Sequence, residues 1–147
     1  MGLNSIGSSP VFPNIFKSIV YVNNKILIGI QRKIFTSSLR FTKNNLRYVK
    51  FLTHLGVVNY YSLIRQKHYF YIKINLPLLN VFTNNLSLNF KIISKQSKKI
   101  FFSYNGLKLI KKRLGFATLV LSSSRQFQTL NAMFNFKHGG LALLLIY

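Results

Sequence analysis

The clearest periodicity in the chain lies between Thr42 and Leu55. Leu46, Tyr48, Val49, Leu52 and Leu55 share one arc of a helical wheel, and Lys43, Arg47, Lys50 and His54 share another. Positions three and four apart are neighbours on a helix surface, so one arc meets a core and the other forms a basic stripe. Thr42 can accept from the free N–H groups of the first turn, and Gly56 can take the left-handed conformation that ends a helix. The segment "HYFYIKIN" changes the period to two: Phe70, Ile72 and Ile74 alternate with Tyr69, Tyr71 and Lys73. Two strands, Val57–Gln66 and His68–Leu76, joined by a short turn, follow from that alternation. Their tyrosine and lysine face suits an ordinary wetted sheet and an RNA contact equally.

Residues 1–13 read as a loose start, punctuated by Gly, Ser and Pro. Asn14 to Ile30 carries apolar residues at helical spacing, with Asn23-Asn24 as its weak point, and a strand separates it from the Thr42 helix. Leu78 to Leu88 is Asn-rich and turn-like, a boundary between halves. Beyond it, Phe90–Ile93 and Lys99–Tyr104 read as strands flanking "SKQSKK", and "LKLIKKRL" (Leu107–Leu114) as a short basic helix before Gly115. Phe116–Leu121 and Leu141–Tyr147 are apolar strands. Between them lies a short helix, Thr129–His138, with Ala132, Met133 and Phe136 inward and Gly139 as its stop. The class is α+β: an α-β-α-β-β half over residues 14–80, then a mostly antiparallel β half with short helices over residues 81–147.

Composition narrows the function. Of 147 residues, 21 are Lys or Arg and none is Asp or Glu, while 49% are hydrophobic. Such a chain can bury a core, so it is no disordered basic tail. Its cations have no carboxylate side chain to pair with, and their mutual repulsion opposes the compact state. The counter-charge is therefore external, and a phosphate backbone is the densest source.

Chemistry goes by subtraction. Without acids there is no carboxylate acid–base pair, no carboxylate metal site and no Ser-His-Asp triad. Without cysteine there is no disulfide or thiolate zinc site. His54, His68 and His138 lie at no metal-ligand spacing, and there is no phosphate-binding glycine loop. The expectation is a binding protein with no cofactor, metal or small-molecule substrate. The longest apolar runs, "GFATLVL" and "LALLLIY", fall short of the roughly 20 residues of a spanning helix, so no membrane span is expected. The prevalence of Phe, Ile, Leu, Lys, Asn and Tyr fits A/T-rich codons and an organelle-encoded protein, for which no import signal is needed.

The stretch "LSSSRQFQTLNAMFNFKHGG" (Leu121–Gly140) sets three hydroxyls and a cation at the end of an apolar strand. Ser122, Ser123, Ser124 and Arg125 on a turn there suit the 2′-hydroxyls, base edges and phosphates of RNA, with a plain turn as the alternative. The sequence from Gly115 to Tyr147 resembles the C-terminal end of the small-subunit ribosomal protein S8 family. That family reads G-[LI]-G-[IV]-A-[IV]-[LV]-S-T-S-K-G-[IV]-M-T, then a helix, G-G-E and a closing strand. Ser122, Ser123 and Ser124 fall on the S-T-S triplet, Arg125 on its Lys, Thr129 on the Thr, and Gly139-Gly140 on the Gly pair. Ala117, Gln126 and Leu141 depart from it. The helix from Thr42 and the strand start after it also resemble the family's helix ending in G-[FV]-[IV]. For the family's S-[KR]-P-G loop, Ser94-Lys95 and Ser97-Lys98 are alternative counterparts.

The resemblance implies two α+β halves and a structural role in the small subunit of a mitochondrial ribosome, in the matrix. The protein would bind the central domain of the small-subunit rRNA beside neighbouring ribosomal proteins, stabilising its fold during assembly and translation. Candidate RNA contacts are Ser122, Ser123, Ser124, Arg125, Thr129, Ser94, Lys95 and Lys98, with Lys43, Arg47 and Lys50 from the helix stripe. The alternative is a basic peripheral accessory protein of an organellar membrane complex.

One expectation follows from charge alone. With a formal +21 and no internal compensation, the isolated protein is unstable at low ionic strength and gains stability as salt screens it. Circular dichroism melts without RNA across a salt series measure this, and cooperative unfolding with a salt-independent midpoint would contradict it.

Overall fold

The computed structural model describes residues 15–76, 89–115, 117–123 and 126–147, except for the side chains of residues 135 and 136. These residues belong to two compact units, one within Asn14–Ser87 and the other within Leu88–Tyr147. Both combine helices with an antiparallel sheet, so the fold class is α+β as the element order predicts.

In the first unit, α1 (Ile15–Gln31), β1 (Thr36–Arg40), α2 (Lys43–Leu55), β2 (Tyr60–Gln66) and β3 (Tyr69–Asn75) follow one another along the chain. Ile15, Ile19, Val22 and Ile26 recur at intervals of three and four and give α1 a continuous buried stripe. The helix runs through Asn23-Asn24 without a break. Asn23 is buried, and its side-chain oxygen accepts from the Tyr48 hydroxyl at 2.6 Å, which joins α1 to α2, while its Nδ2 is buried without a hydrogen-bond partner.

The Thr42 cap is present: its hydroxyl accepts from Asn45 N–H at 3.0 Å. Gly56 takes φ +88°, donating to Thr53 O at 3.1 Å while Val57 N–H donates to Leu52 O at 3.0 Å. Tyr48, Val49 and Leu52 are fully buried, whereas Leu46 and Leu55 at the edges of the expected arc are half-buried. β2 begins at Tyr60, three residues later than its apolar start at Val57, because Val57 and Val58 are taken up by the helix end. The sheet order is β1-β3-β2, with Leu39 and Ile72 paired in register and buried beside Ile74. Phe70 does not join them. It lies opposite Arg65 near the β2–β3 turn, half in solvent, with its ring tilted against Phe41.

The second unit contains β4 (Phe90–Ile92), β5 (Phe101–Phe102), α3 (Tyr104–Leu114), β6 (Thr118–Ser123), β7 (Gln126–Thr129), α4 (Leu130–Phe136) and β8 (Gly140–Ile146). β8 is central. It pairs with β4 and β5 along one edge and with β6 along the other, and β7 extends the sheet from β6. Burial on both sides explains why its sequence is an unbroken apolar run. On one face Leu119, Leu121 and Ala142 pack against Leu107 of α3 and Leu130 and Met133 of α4. Each such side chain contributes about 1.5–3 kcal/mol by leaving water.

Several boundaries move for local reasons. α3 starts a turn before Leu107 because the Ser103 hydroxyl caps it, accepting from Gly106 N–H at 3.2 Å. That leaves β5 only two residues long. Apolar period alone could not place that cap.

Gly139 does not stop α4. The chain turns two residues earlier, where Lys137 takes φ +56°, with Lys137 N–H on Phe134 O and His138 N–H on Met133 O, both at 3.2 Å. The Gly pair serves close approach instead. A Cβ on Gly139 would strike the backbone at Phe102 and Ser103, and one on Gly140 would lie 2.8 Å from Met133 Cε and 2.9 Å from Ser122 O. Only glycine lets the start of β8 slide between these neighbours. The expected Leu78–Leu88 boundary and the inward Phe136 side chain lie outside what is described.

Burial drives the Tyr48 pKa far above the ordinary tyrosine value, and the Asn23 hydrogen bond only partly offsets this. Tyr48→Phe should cost about 1–2 kcal/mol, since it leaves the buried Asn23 amide without its partner. A raised folded-state pKa gives stability that is complete below the unfolded tyrosine value of about 10 and declines above it. The gap between the two proteins should therefore narrow between about pH 8 and pH 10.5. Urea unfolding at both values measures it, and an unchanged gap would contradict the burial argument.

Candidate nucleic-acid interface

Because α2 buries Asn45, Tyr48, Val49 and Leu52, its opposite side carries Lys43, Arg47, Lys50 and His54 into solvent. A rise of 1.5 Å per residue spaces these groups by roughly 4.5–6 Å along the helix axis. The stripe is thus a continuous cationic edge, and its order follows from the sequence period.

Beside the N-terminus of this helix opens a cleft of about 330 Å³, lined among others by Lys17, Tyr21, Arg40, Phe41 and Thr42. Arg40 is held there twice. Its N–H donates to the Tyr21 hydroxyl at 3.0 Å, and its guanidinium sits 5.0 Å from the centre of the same ring. Asn45 Nδ2 donates to Arg40 O at 2.9 Å, fixing the chain from β1 into α2. Cations, an aromatic ring and the positive end of a helix suit a phosphate-bearing ligand. Lys17 and Arg40 come together only through the α1–β1 packing, so no motif in the sequence marks them.

In the second unit the "SKQSKK" segment is not a plain link between strands. Lys95 and Lys98 bridge each other, with Lys95 N–H on Lys98 O at 2.8 Å and Lys98 N–H on Lys95 O at 3.1 Å. Both side chains, and that of Lys99, are exposed. Ser94 is the anchor of this turn, not part of its surface. It is 0% exposed, its hydroxyl donates to Ala142 O, and its Oγ accepts from Ile100 N–H at 3.0 Å. Expecting it to touch RNA through its side chain is corrected by that burial.

The serine triplet needs the same correction in part. Ser122 is only 1% exposed and pairs in the sheet with Leu141 on one side and Phe127 on the other. Its side chain therefore belongs to the interior. Ser123, paired with Gln126, is half-buried at the strand end. Ser124 and Arg125 lie outside the described residues. Thr129 is half-buried and caps α4, accepting from Ala132 N–H at 3.4 Å, so the helix already uses its hydroxyl. Alternation explains the split: neighbours on a strand face opposite ways, and a run of serines cannot all point outward.

The sheet brings the two segments to one level. Leu121 pairs with Ala142 across one edge of β8, while Ser94 bonds to Ala142 O across the other. Two strand spacings separate them, about 10 Å. Sequence reasoning also left out the α3 cations. Lys108, Lys111, Lys112 and Arg113 are exposed, with Lys108 4.5 Å from the Tyr104 ring centre and Lys111 4.8 Å from that of Phe134. "LKLIKKRL" carries that signal plainly.

No protein-family model matches the chain, and no curated protein matches it. Among the described residues no helix is long and apolar enough to cross a membrane.

Anchor and surface residues should separate in mutagenesis. Ser94→Ala strands a buried carbonyl and a buried N–H, and should cost about 1–3 kcal/mol in urea unfolding. Lys95→Gln with Lys98→Gln should stay within about 0.5 kcal/mol of the parent. The same double substitution should still weaken RNA binding in a filter assay. Equal stability of the Ser94→Ala protein would remove its anchoring role.

Proposed function

We propose that the protein is a structural, RNA-binding component of the small ribosomal subunit of a mitochondrion, similar to the ribosomal protein S8 family. It binds the central domain of the small-subunit rRNA through backbone contacts and has no catalytic role. The observation that carries this reading is a chain that builds two apolar cores yet holds 21 cationic side chains and no acidic one. A stable assembly needs the missing negative charge from outside, at a density that RNA provides.

Three features support it further. The segment Gly115–Tyr147 resembles the family's C-terminal end, including the serine triplet and the Gly pair. The first unit is a mixed helix and strand unit, in line with the α+β halves that the resemblance implies. Exposed cations are grouped along α2, on the Lys95–Lys98 turn and along α3. These groups contact phosphate and position the protein; they carry no base-edge code. Ser94 and Ser122 act from beneath by shaping the surfaces that meet the RNA.

Lys43→Gln, Arg47→Gln and Lys50→Gln together should flatten the slope of log affinity against log salt. Each lost phosphate contact removes about 0.7–0.9 of a unit, so the triple variant should lose two to three. The loss should be nearly the same for cognate and scrambled RNA. In parallel, the protein should co-sediment with small subunits and be released by salt. An unchanged slope withdraws the helix stripe, and co-sedimentation with membranes instead of subunits would replace the reading with a peripheral membrane role.

A further inference from the structure

The face of the β1-β3-β2 sheet turned away from α1 and α2 has no place among the surfaces above. Pairing fixes its pattern. In the central strand, Tyr71 and Lys73 point to this face, since Ile72 and Ile74 are buried on the other. Ile64 stands opposite Tyr71 on one side, Arg40 on the other has its guanidinium turned to the Tyr21 ring, and Ser38 and Ser62 stand on either side of Lys73. Tyr69 continues the line at one end, and Tyr60 lies on the neighbouring strand towards the other. Tyr69 is 75% exposed and Tyr60 57%, while Tyr71 is half-buried between its neighbours.

We propose that this open sheet face is a stacking platform for unpaired RNA bases, distinct from the cationic edges that follow RNA backbone. The inference rests on the RNA-binding reading and adds the class of RNA that this surface takes. Each tyrosine offers a flat ring at low conformational cost; Tyr69 and Tyr71 are about 7 Å apart along β3, and Tyr60, opposite Asn75, lies about 14 Å further along and one strand across. Lys73 stands beside the rings to meet the phosphates of the stacked bases, while the Arg40 guanidinium is turned to the Tyr21 ring of α1. Stacking of this kind tolerates any base, because every base has a π-face. It does require bases free of a duplex, whose faces are already occupied. An apolar protein partner fits less well, since Ile64 opposite Tyr71 is the one aliphatic neighbour and the rest of the row is Ser38, Ser62 and Lys73. With no Asp or Glu in the chain, no carboxylate side chain competes for Lys73.

The test compares a single-stranded U-rich 12-mer with a perfect RNA duplex, using the full chain at one salt concentration. Tyr60→Leu with Tyr71→Leu should weaken the single strand by roughly 10- to 100-fold and leave the duplex nearly unchanged. Tyr60→Phe with Tyr71→Phe should keep the single-strand affinity, because the rings remain. Tyr71→Trp adds a direct readout: the chain has no tryptophan, so the new indole is the only such emitter. Its fluorescence should be quenched by the 12-mer and not by the duplex. If the Leu pair binds the single strand as well as the parent does, the face serves a protein neighbour or bare solvent and the platform is overturned. Equal losses on single strand and duplex would overturn it too, as a general defect. A parent that binds neither RNA would refute the RNA-binding reading itself.

Discussion

The constraint on which everything else depends is the absence of any internal counter-charge. A folded chain with 21 cationic side chains and no carboxylate side chain gains nothing from salt bridges and loses free energy to repulsion. Cohesion must come from apolar burial and from neutral hydrogen bonds. Both units are built this way. Their interiors are Ile, Leu and Val with one methionine and one tyrosine of note, and among the described residues no Lys or Arg is buried.

Neutral polar groups do the work that carboxylates do elsewhere. The three helices with defined caps start at Thr42, Ser103 and Thr129, each through a hydroxyl and none with an acid in the first turn. Hydroxyls satisfy the free N–H groups without adding charge. Inside, Tyr48 with Asn23 and Ser94 with its two backbone partners fix how elements meet. Cations lean on rings instead of carboxylates: Arg40 on Tyr21, Lys108 on Tyr104, Lys111 on Phe134 and Arg65 on Phe70. Such contacts orient the cation without neutralising it, each contributing about 0.5–1 kcal/mol where exposed. The charge remains available to a polyanion.

This arrangement ties stability to binding. A ligand that supplies phosphate to these surfaces removes repulsion as it makes contacts, so folding and association reinforce one another. The sheet then divides labour by depth. Ser94 and Ser122 lie buried, Ser94 holding the lysine turn, while Lys95, Lys98 and Lys99 of that turn remain on the surface.

The sequence by itself determined what depends on local period and chemistry. The three- and four-residue spacing around Tyr48, Val49 and Leu52, with Thr42 and Gly56 at the ends, gave α2 and its basic stripe. Alternation gave β3, and unbroken apolar runs gave β6 and β8, because a strand buried on both faces has no polar side to show. Composition excluded acid-dependent chemistry outright. Only the tertiary structure decided which polar residues face inward. A serine in a triplet has no period to reveal its side, so the burial of Ser122 depends on the register with Leu141 and Phe127. The Gly139–Gly140 pair read as a helix stop, but its reason is non-local: backbone from Phe102, Ser103 and Ser122 leaves no room for a Cβ. Lys17 and Arg40, 23 positions apart, line one cleft only because α1 lies along β1. Contacts between distant residues are set by how elements pack, and no local pattern encodes them.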